Sequence, residues 1–193
     1  MIAPPRLHHR PGVIYDQMVE MSIYGVSFDL VGKQPIVLLK TAEGNRYLPI
    51  WIGHSEAAAI LTKLQGTQVP RPLTHDLLVN ILGELDAEVV RVTVTELREN
   101  TFHAAITIAQ NGTEVEIDSR SSDAIAVAVR AHAPIFAADE VIEESAIEME
   151  GDEVNEEEIV DEFKRFLDKV SAEDFLAAEV EDVEEAEVED DDD

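Results

Sequence analysis

The sequence predicts an α+β domain with a mixed, mainly antiparallel sheet packed with three helices, followed by an acidic helical C-terminal tail. Two groups of short segments alternate apolar and polar residues with period two, as strands do. Stretches rich in helix formers lie between and after these groups. Long βαβ alternation, which indicates a parallel sheet, does not occur.

The first strand group is predicted to be a meander of three strands. Alternation begins at Val19, a short apolar run covers residues 35–40, and a third segment covers 46–52 after the turn at Gly44. Trp51 lies in the third segment and is predicted to be a core residue.

The first two helices are predicted at residues 54–65 and 75–82. Gly66 ends the first helix, and Gly83 is the expected cap of the second. One face of the second helix is apolar; it carries Leu77, Leu78, Ile81, Leu82 and Leu85.

The second strand group follows these helices and precedes a third. Alternating segments at 87–97, 102–109 and 113–117 form hairpins, with Asn111-Gly112 as a tight turn. The third helix covers 121–131, where Ala124, Ile125 and Ala128 are spaced to pack on the sheet while Arg130 points elsewhere. Residues 134–136 suit a last strand.

Composition divides the chain into four parts. We predict a flexible leader at 1–17, a folded domain at 18–148, an acidic helical appendage at 149–178 and a disordered acidic tail at 179–193. The net charge is −28; residues 150–193 hold 22 acids and three bases, or −19, which leaves −9 for residues 1–149. A body of this charge repels phosphate backbones, so any contact with nucleic acid must be local or mediated by a metal.

Some classes of function are excluded by composition and motifs. The chain has no cysteine, which rules out thiolate zinc sites and cysteine nucleophiles. It has no phosphate-binding P-loop, no H-E-x-x-H and no G-x-S-x-G motif. No apolar run approaches the roughly 18 residues of a membrane span, so the sequence predicts a cytoplasmic protein without membrane contact.

Two similar motifs are the most informative features of the chain. Arg71-Pro-Leu-Thr-His-Asp76 and Asp118-Ser-Arg-Ser-Ser-Asp123 each place an Asp two residues after a hydroxyl, at the start of a predicted helix. One interpretation makes His75, Asp76 and Asp123 catalytic, because imidazole exchanges protons near neutral pH and carboxylates activate water or bind metals. The alternative is structural, with Thr74 capping the helix and Asp76 complementing its positive end.

The same motifs suggest ligands for a metal and for phosphate. Oxygen donors suit Mg²⁺ or Mn²⁺, and the predicted metal ligands are Glu56, Asp76, Asp118 and Asp123. The natural phosphate-binding residues near these acids are Arg71, Arg120 and Arg130. Each arginine could instead pair with one of the carboxylates.

Three segments in order resemble one known family. Residues 50–60 (I-W-I-G-H-S-E-A-A-A-I), 71–76 (R-P-L-T-H-D) and 118–125 (D-S-R-S-S-D-A-I) resemble the bifunctional nuclease family over roughly residues 19–141. The resemblance implies an α+β domain that self-associates into a homo-oligomer and degrades both DNA and RNA.

Two hypotheses follow from these residues. The first is a nuclease that hydrolyses phosphodiester bonds of DNA and RNA with a divalent metal held by carboxylates. The second is a non-catalytic oligomeric module that recognises a small anion or a partner protein. An apolar stripe within residues 154–178 either docks on such a partner or folds back on its own domain.

Overall fold

A computed structural model of the chain describes residues 18–29 and 34–148, excluding the side chains of residues 28 and 29. The predicted leader, the acidic appendage with its 154–178 stripe, and the acidic tail lie outside the described residues. The strands are β1 (Met18–Asp29), β2 (Gln34–Thr41), β3 (Arg46–Trp51), β4 (Ala87–Arg98), β5 (Thr101–Gln110), β6 (Thr113–Arg120), β7 (Ile135–Ala138) and β8 (Ile147–Glu148). The helices are α1 (His54–Leu64), α2 (Thr74–Glu84), α3 (Ser121–Ala131) and α4 (Asp139–Ser145).

The described strands form one sheet in the order β6-β5-β4-β7-β1-β2-β3-β8. All neighbouring pairs are antiparallel except β4 and β7, which are parallel. The predicted α+β class with a mixed, mainly antiparallel sheet is confirmed. The fourth helix and the two-residue strand β8 were not predicted.

The core forms where strand residues meet small residues on the helices. Val37, Leu39 and Ile50 are fully buried on the sheet. Three consecutive alanines of α1 (57–59) are buried, as are the alanines at 124, 126 and 128 of α3, and the two helices pack against each other. Small side chains let helix backbones approach closely, so α1 and α3 hold their N-terminal residues in a fixed relation.

Helix α3 lies at the centre of the helical layer, since it packs against α1, α2 and the sheet. The prediction that Arg130 points away from the packed face of α3 is wrong, since its side chain is only 3% exposed.

The prediction that Trp51 is a core residue is also wrong. Trp51 is 52% exposed, while its neighbours Ile50 and Ile52 are buried. Side chains alternate across a strand, so burial of both neighbours directs residue 51 to the opposite face.

Helix α2 departs from its prediction in two ways. Gly83 lies within the helix, which continues to Glu84. The apolar face predicted for it is largely exposed in the single chain, with Leu77, Leu78, Ile81 and Leu85 all half-exposed. None of the helices in the described ranges is both long and apolar enough to cross a membrane.

Candidate active site

The start of α1 presents Glu56 to the site. Gly53 precedes the helix in an extended conformation, and Glu56 is in the first turn. A Cβ atom at position 53 would collide with the Glu56 carboxylate. Gly53 therefore leaves space for that carboxylate to fold back over the beginning of the helix.

The start of α2 presents His75 and Asp76. The residue before the helix is Leu73, whose backbone N–H donates to Asp76 Oδ2 at 2.9 Å. Asp76 thus satisfies a backbone donor that the helix leaves unpaired. His75 is the buried residue of this helix, with a side chain only 10% exposed.

The start of α3 brings Arg120 and Asp123 to the same place. Strand β6 ends at Arg120, which is also the residue before the helix, and Asp123 lies in the first turn. Arg120 Nε donates to Asp123 Oδ2 at 2.7 Å, and Arg120 Nη2 donates to Glu56 Oε1 at 2.7 Å. This arginine links the starts of α1 and α3.

His75 completes a cluster of four side chains. Its Nε2 atom lies 3.0 Å from Asp123 Oδ1. We call Glu56, His75, Arg120 and Asp123 the pocket cluster. Its members come from the beginnings of three different helices, so only the folded domain can assemble it.

Electrostatics keep Asp123 ionised at neutral pH. Burial alone raises the pKa of a carboxyl, but hydrogen bonds from Arg120 and His75 outweigh it and hold the pKa of Asp123 below its usual value. Hydrogen bonds to Asp123 and then to Glu56 raise the pKa of Arg120. With one arginine and two carboxylates, the cluster has a net charge of −1 when His75 is neutral.

The pocket cluster lines a pocket of about 740 Å³, which we call the central pocket. Helix α1 and the segment 65–75 supply most of its other walls, including Thr62, Thr67 and Pro70. Arg120 is 65% exposed and uses two of its five N–H donors on the carboxylates. Its remaining donors are accessible to a ligand.

Asp76 and Arg130 form a second pair, which we call the buried clamp. Arg130 Nε donates to Asp76 Oδ1 at 2.7 Å, while Nη1 and Nη2 donate to the carbonyl oxygens of Ala126 and Ala59 at 3.0 Å each. One guanidinium therefore joins α1, α2 and α3. Burial opposes ionisation of Asp76, but the Leu73 N–H and Arg130 outweigh it and lower its pKa.

Arg71 lies outside the central pocket. It lines a smaller pocket of about 300 Å³, the outer pocket, together with Lys63, Asp76, Asn80 and Arg130. Lys63 is a residue that the motifs miss, because it lies in the last turn of α1 outside all three of them. Its place in the outer pocket depends on how α1 and α2 each pack on α3.

The four predicted metal ligands do not come together. Glu56 and Asp123 share Arg120, and Asp76 pairs with Arg130. Asp118 is an exposed residue of β6 opposite Ala105, and it lines neither pocket. Within residues 18–29 and 34–148, no three His, Asp or Glu side chains are grouped so as to hold a metal ion. The donor set does not fit a resident cation in this arrangement, and a need for Mg²⁺ or Mn²⁺ stays a prediction.

Comparison with known proteins identifies the family. Residues 37–150 match the bifunctional nuclease domain. An uncharacterized protein of Mycobacterium tuberculosis (strain ATCC 25618 / H37Rv) is 40% identical over 167 residues, which is 83% of this chain and 99% of that protein. "Bifunctional nuclease 1" of Arabidopsis thaliana is 28% identical over 105 residues, 52% of this chain and 32% of that protein.

A second plant protein gives a similar result. "Bifunctional nuclease 1" of Oryza sativa subsp. indica is 27% identical over 103 residues, 51% of this chain and 31% of that protein. The matched region contains α1, α2 and α3, whose first turns build the pocket cluster. The chain belongs to the bifunctional nuclease domain family.

Proposed function

We propose that the chain hydrolyses phosphodiester bonds of DNA and RNA in the central pocket. The observation that carries the proposal is the contact between His75 and Asp123 beside the accessible Arg120. A histidine oriented by a carboxylate, next to a cation, has the parts needed to activate water against a phosphate. Family membership and the plant relatives named as bifunctional nucleases support the same choice.

The roles of the side chains follow from their hydrogen bonds. Ionised Asp123 accepts the Nε2–H of neutral His75, which leaves Nδ1 as the unprotonated ring nitrogen. Nδ1 takes a proton from water as the water oxygen forms its bond to phosphorus. The bond from phosphorus to the leaving sugar oxygen then breaks, and that oxygen takes a proton from solvent.

Arg120 is assigned to the phosphate. Its free N–H donors bind a nonbridging oxygen and stabilise the negative charge that grows in the transition state. Glu56 and Asp123 fix the guanidinium from behind, so no ordering of that side chain is needed at the moment of reaction. In this scheme Asp76 is a positioning residue, since it holds Arg130 and the start of α2.

The test is cleavage of end-labelled single-stranded DNA and RNA oligonucleotides by the purified full chain. His75→Gln is expected to slow cleavage by about 10²–10⁴-fold, the usual contribution of a general base, and Asp123→Asn by well over tenfold. His103→Gln is the matched control, because His103 lies on β5 beside Arg98 and outside the central pocket. Parallel reactions with Mg²⁺, Mn²⁺ or EDTA test whether cleavage requires the predicted divalent metal.

Two outcomes would contradict the proposal. If the wild-type protein leaves both oligonucleotides intact in every metal condition, the proposed hydrolysis is wrong. If a folded His75→Gln variant cleaves at the wild-type rate, the assignment of His75 as the general base is wrong.

A further inference from the structure

The central pocket carries too little positive charge to hold a nucleic-acid strand by itself. The pocket cluster sums to −1 with His75 neutral, and Arg120 is the one Lys or Arg among the residues that line the pocket. Polyanions bind proteins chiefly through contacts between cations and phosphates. If the proposed hydrolysis occurs here, other cations must hold the strand nearby.

The outer pocket has the opposite balance of charge. Three bases, Lys63, Arg71 and Arg130, line it with Asp76 as the one carboxylate, so its net charge is +2. The described residues contain eight Lys and Arg side chains and 19 Asp and Glu. The outer pocket therefore contains three of these eight bases and only one of the 19 acids, although the described residues as a whole are strongly acidic.

The cations of the outer pocket differ in their availability. Arg130 is buried and its three hydrogen bonds are made within the protein, so it supplies charge but no direct contact. Lys63 and Arg71 are exposed. Within the described residues, Arg71 has no carboxylate within salt-bridge distance. Lys63 attracts Asp76 electrostatically but forms no ion pair with it, so both Lys63 and Arg71 have donors that can bind an anion. Asn80 adds an amide N–H₂ to the same pocket.

The two pockets adjoin each other. Thr62, Thr67, Val69 and Pro70 line both, so the segment 67–70 is a shared wall with a pocket on either side. A strand whose reacting phosphate contacts Arg120 can cross this wall and place another phosphate beside Arg71. A compact monovalent anion would occupy only one of the two pockets, whereas a polymer with repeated phosphates can occupy both.

We propose that the outer pocket is a second phosphate subsite, in which Lys63 and Arg71 bind a backbone phosphate of the nucleic-acid strand whose neighbouring segment occupies the central pocket. The ligand is a phosphodiester polymer, recognised by its backbone charge and not by its bases. The inference rests on the proposed function for the identity of the ligand, but its test measures binding and does not require cleavage.

The experiment measures anisotropy of a fluorescein-labelled single-stranded thymidine oligonucleotide on the full chain, across a series of salt concentrations. The double variant Lys63→Gln, Arg71→Gln is expected to bind about fivefold more weakly at low salt, because the loss of a phosphate contact lowers affinity most where few salt ions compete. For single strands the slope of log K against log salt changes by about 0.7 per phosphate contact. Because Lys63 and Arg71 are proposed to bind one phosphate, the variant's slope should be shallower by about 0.7.

Two controls isolate the backbone charge. Arg98→Gln removes an exposed arginine outside both pockets and should leave affinity and slope unchanged. A methylphosphonate oligonucleotide of the same sequence has an uncharged backbone, so its affinity should be the same for wild type and double variant.

The possible results separate this proposal from the preceding one. An unchanged affinity and slope in the double variant would overturn the subsite, whether or not the chain cleaves nucleic acid. A reduced slope in a chain that never cleaves would support the subsite and leave hydrolysis as the failed part. Equal weakening of charged and methylphosphonate oligonucleotides would mean that Lys63 and Arg71 do not act on phosphate, and would also overturn the proposal.

Discussion

Two arginines paired with acids at helix starts serve different purposes in this domain. Arg130 is 3% exposed and donates its hydrogen bonds to Asp76 and two backbone carbonyls. Arg120 is 65% exposed and binds Glu56 and Asp123 at the edge of the central pocket. Both form hydrogen bonds of 2.7 Å to carboxylates. Burial, and not the type or length of the bond, separates a structural pair from one with donors left for a ligand.

The largest effect on stability is expected from Arg130→Gln. Arg130→Gln removes three hydrogen bonds of one buried cation, which together join α1, α2 and α3. Each hydrogen bond to a charged group contributes about 1.5–3 kcal/mol, so a loss of about 4 kcal/mol or more is expected. Arg120→Gln should cost less than about 1 kcal/mol, since exposed pairs are screened by solvent. Urea unfolding of both variants checks the contrast, and equal losses would show that the two pairs are not energetically different.

A smaller loss is expected from Asp76→Asn, with a pH dependence that identifies its origin. The folded state lowers the pKa of Asp76 below its ordinary value of 3.8. Ionised Asp76 therefore stabilises the fold above about pH 4, and this contribution disappears as the pH falls through the lower, folded-state pKa. At neutral pH the variant should lose about 2 kcal/mol, the usual contribution of a hydrogen bond to a charged group.

The measurement is the free energy of unfolding of wild type and Asp76→Asn at several pH values. The difference should persist between about pH 5 and 7 and shrink below about pH 4. Glu84→Gln, at an exposed site near the end of the same helix, controls for the loss of a carboxylate. A difference that stays constant down to low pH would mean that Asp76 acts by shape alone.

Most of the secondary structure could be predicted because local patterns determine it. Helix α3 was predicted with the bounds found, and the end of α1 follows from Gly66, which has φ +65°. Helix α4 was missed because its residues 139–145 lie in an acidic stretch that resembles the tail that follows. Burial was harder to predict, as Trp51 shows, because alternation does not say which face of a strand is covered.

The candidate site could be predicted only in part. The motifs identified the residues at the helix starts, and Glu56, His75, Arg120 and Asp123 do meet. The assignment of partners could not be read from the sequence, because Arg120 and Arg130 are chemically identical and only packing buries one of them. Lys63 was missed for the same reason, since its relation to Arg71 depends on how α1 and α2 each pack on α3.

The most direct test of this account is the cleavage rate of Arg120→Gln on a labelled oligonucleotide, measured at a temperature where its unfolding curve shows it to be folded. Removing a donor that stabilises charge in the transition state costs about 10²–10³-fold in rate. A loss of that size is expected, together with a loss of stability of less than about 1 kcal/mol. Wild-type cleavage by folded Arg120→Gln would contradict it, because the exposed arginine would then be no more functional than the buried one.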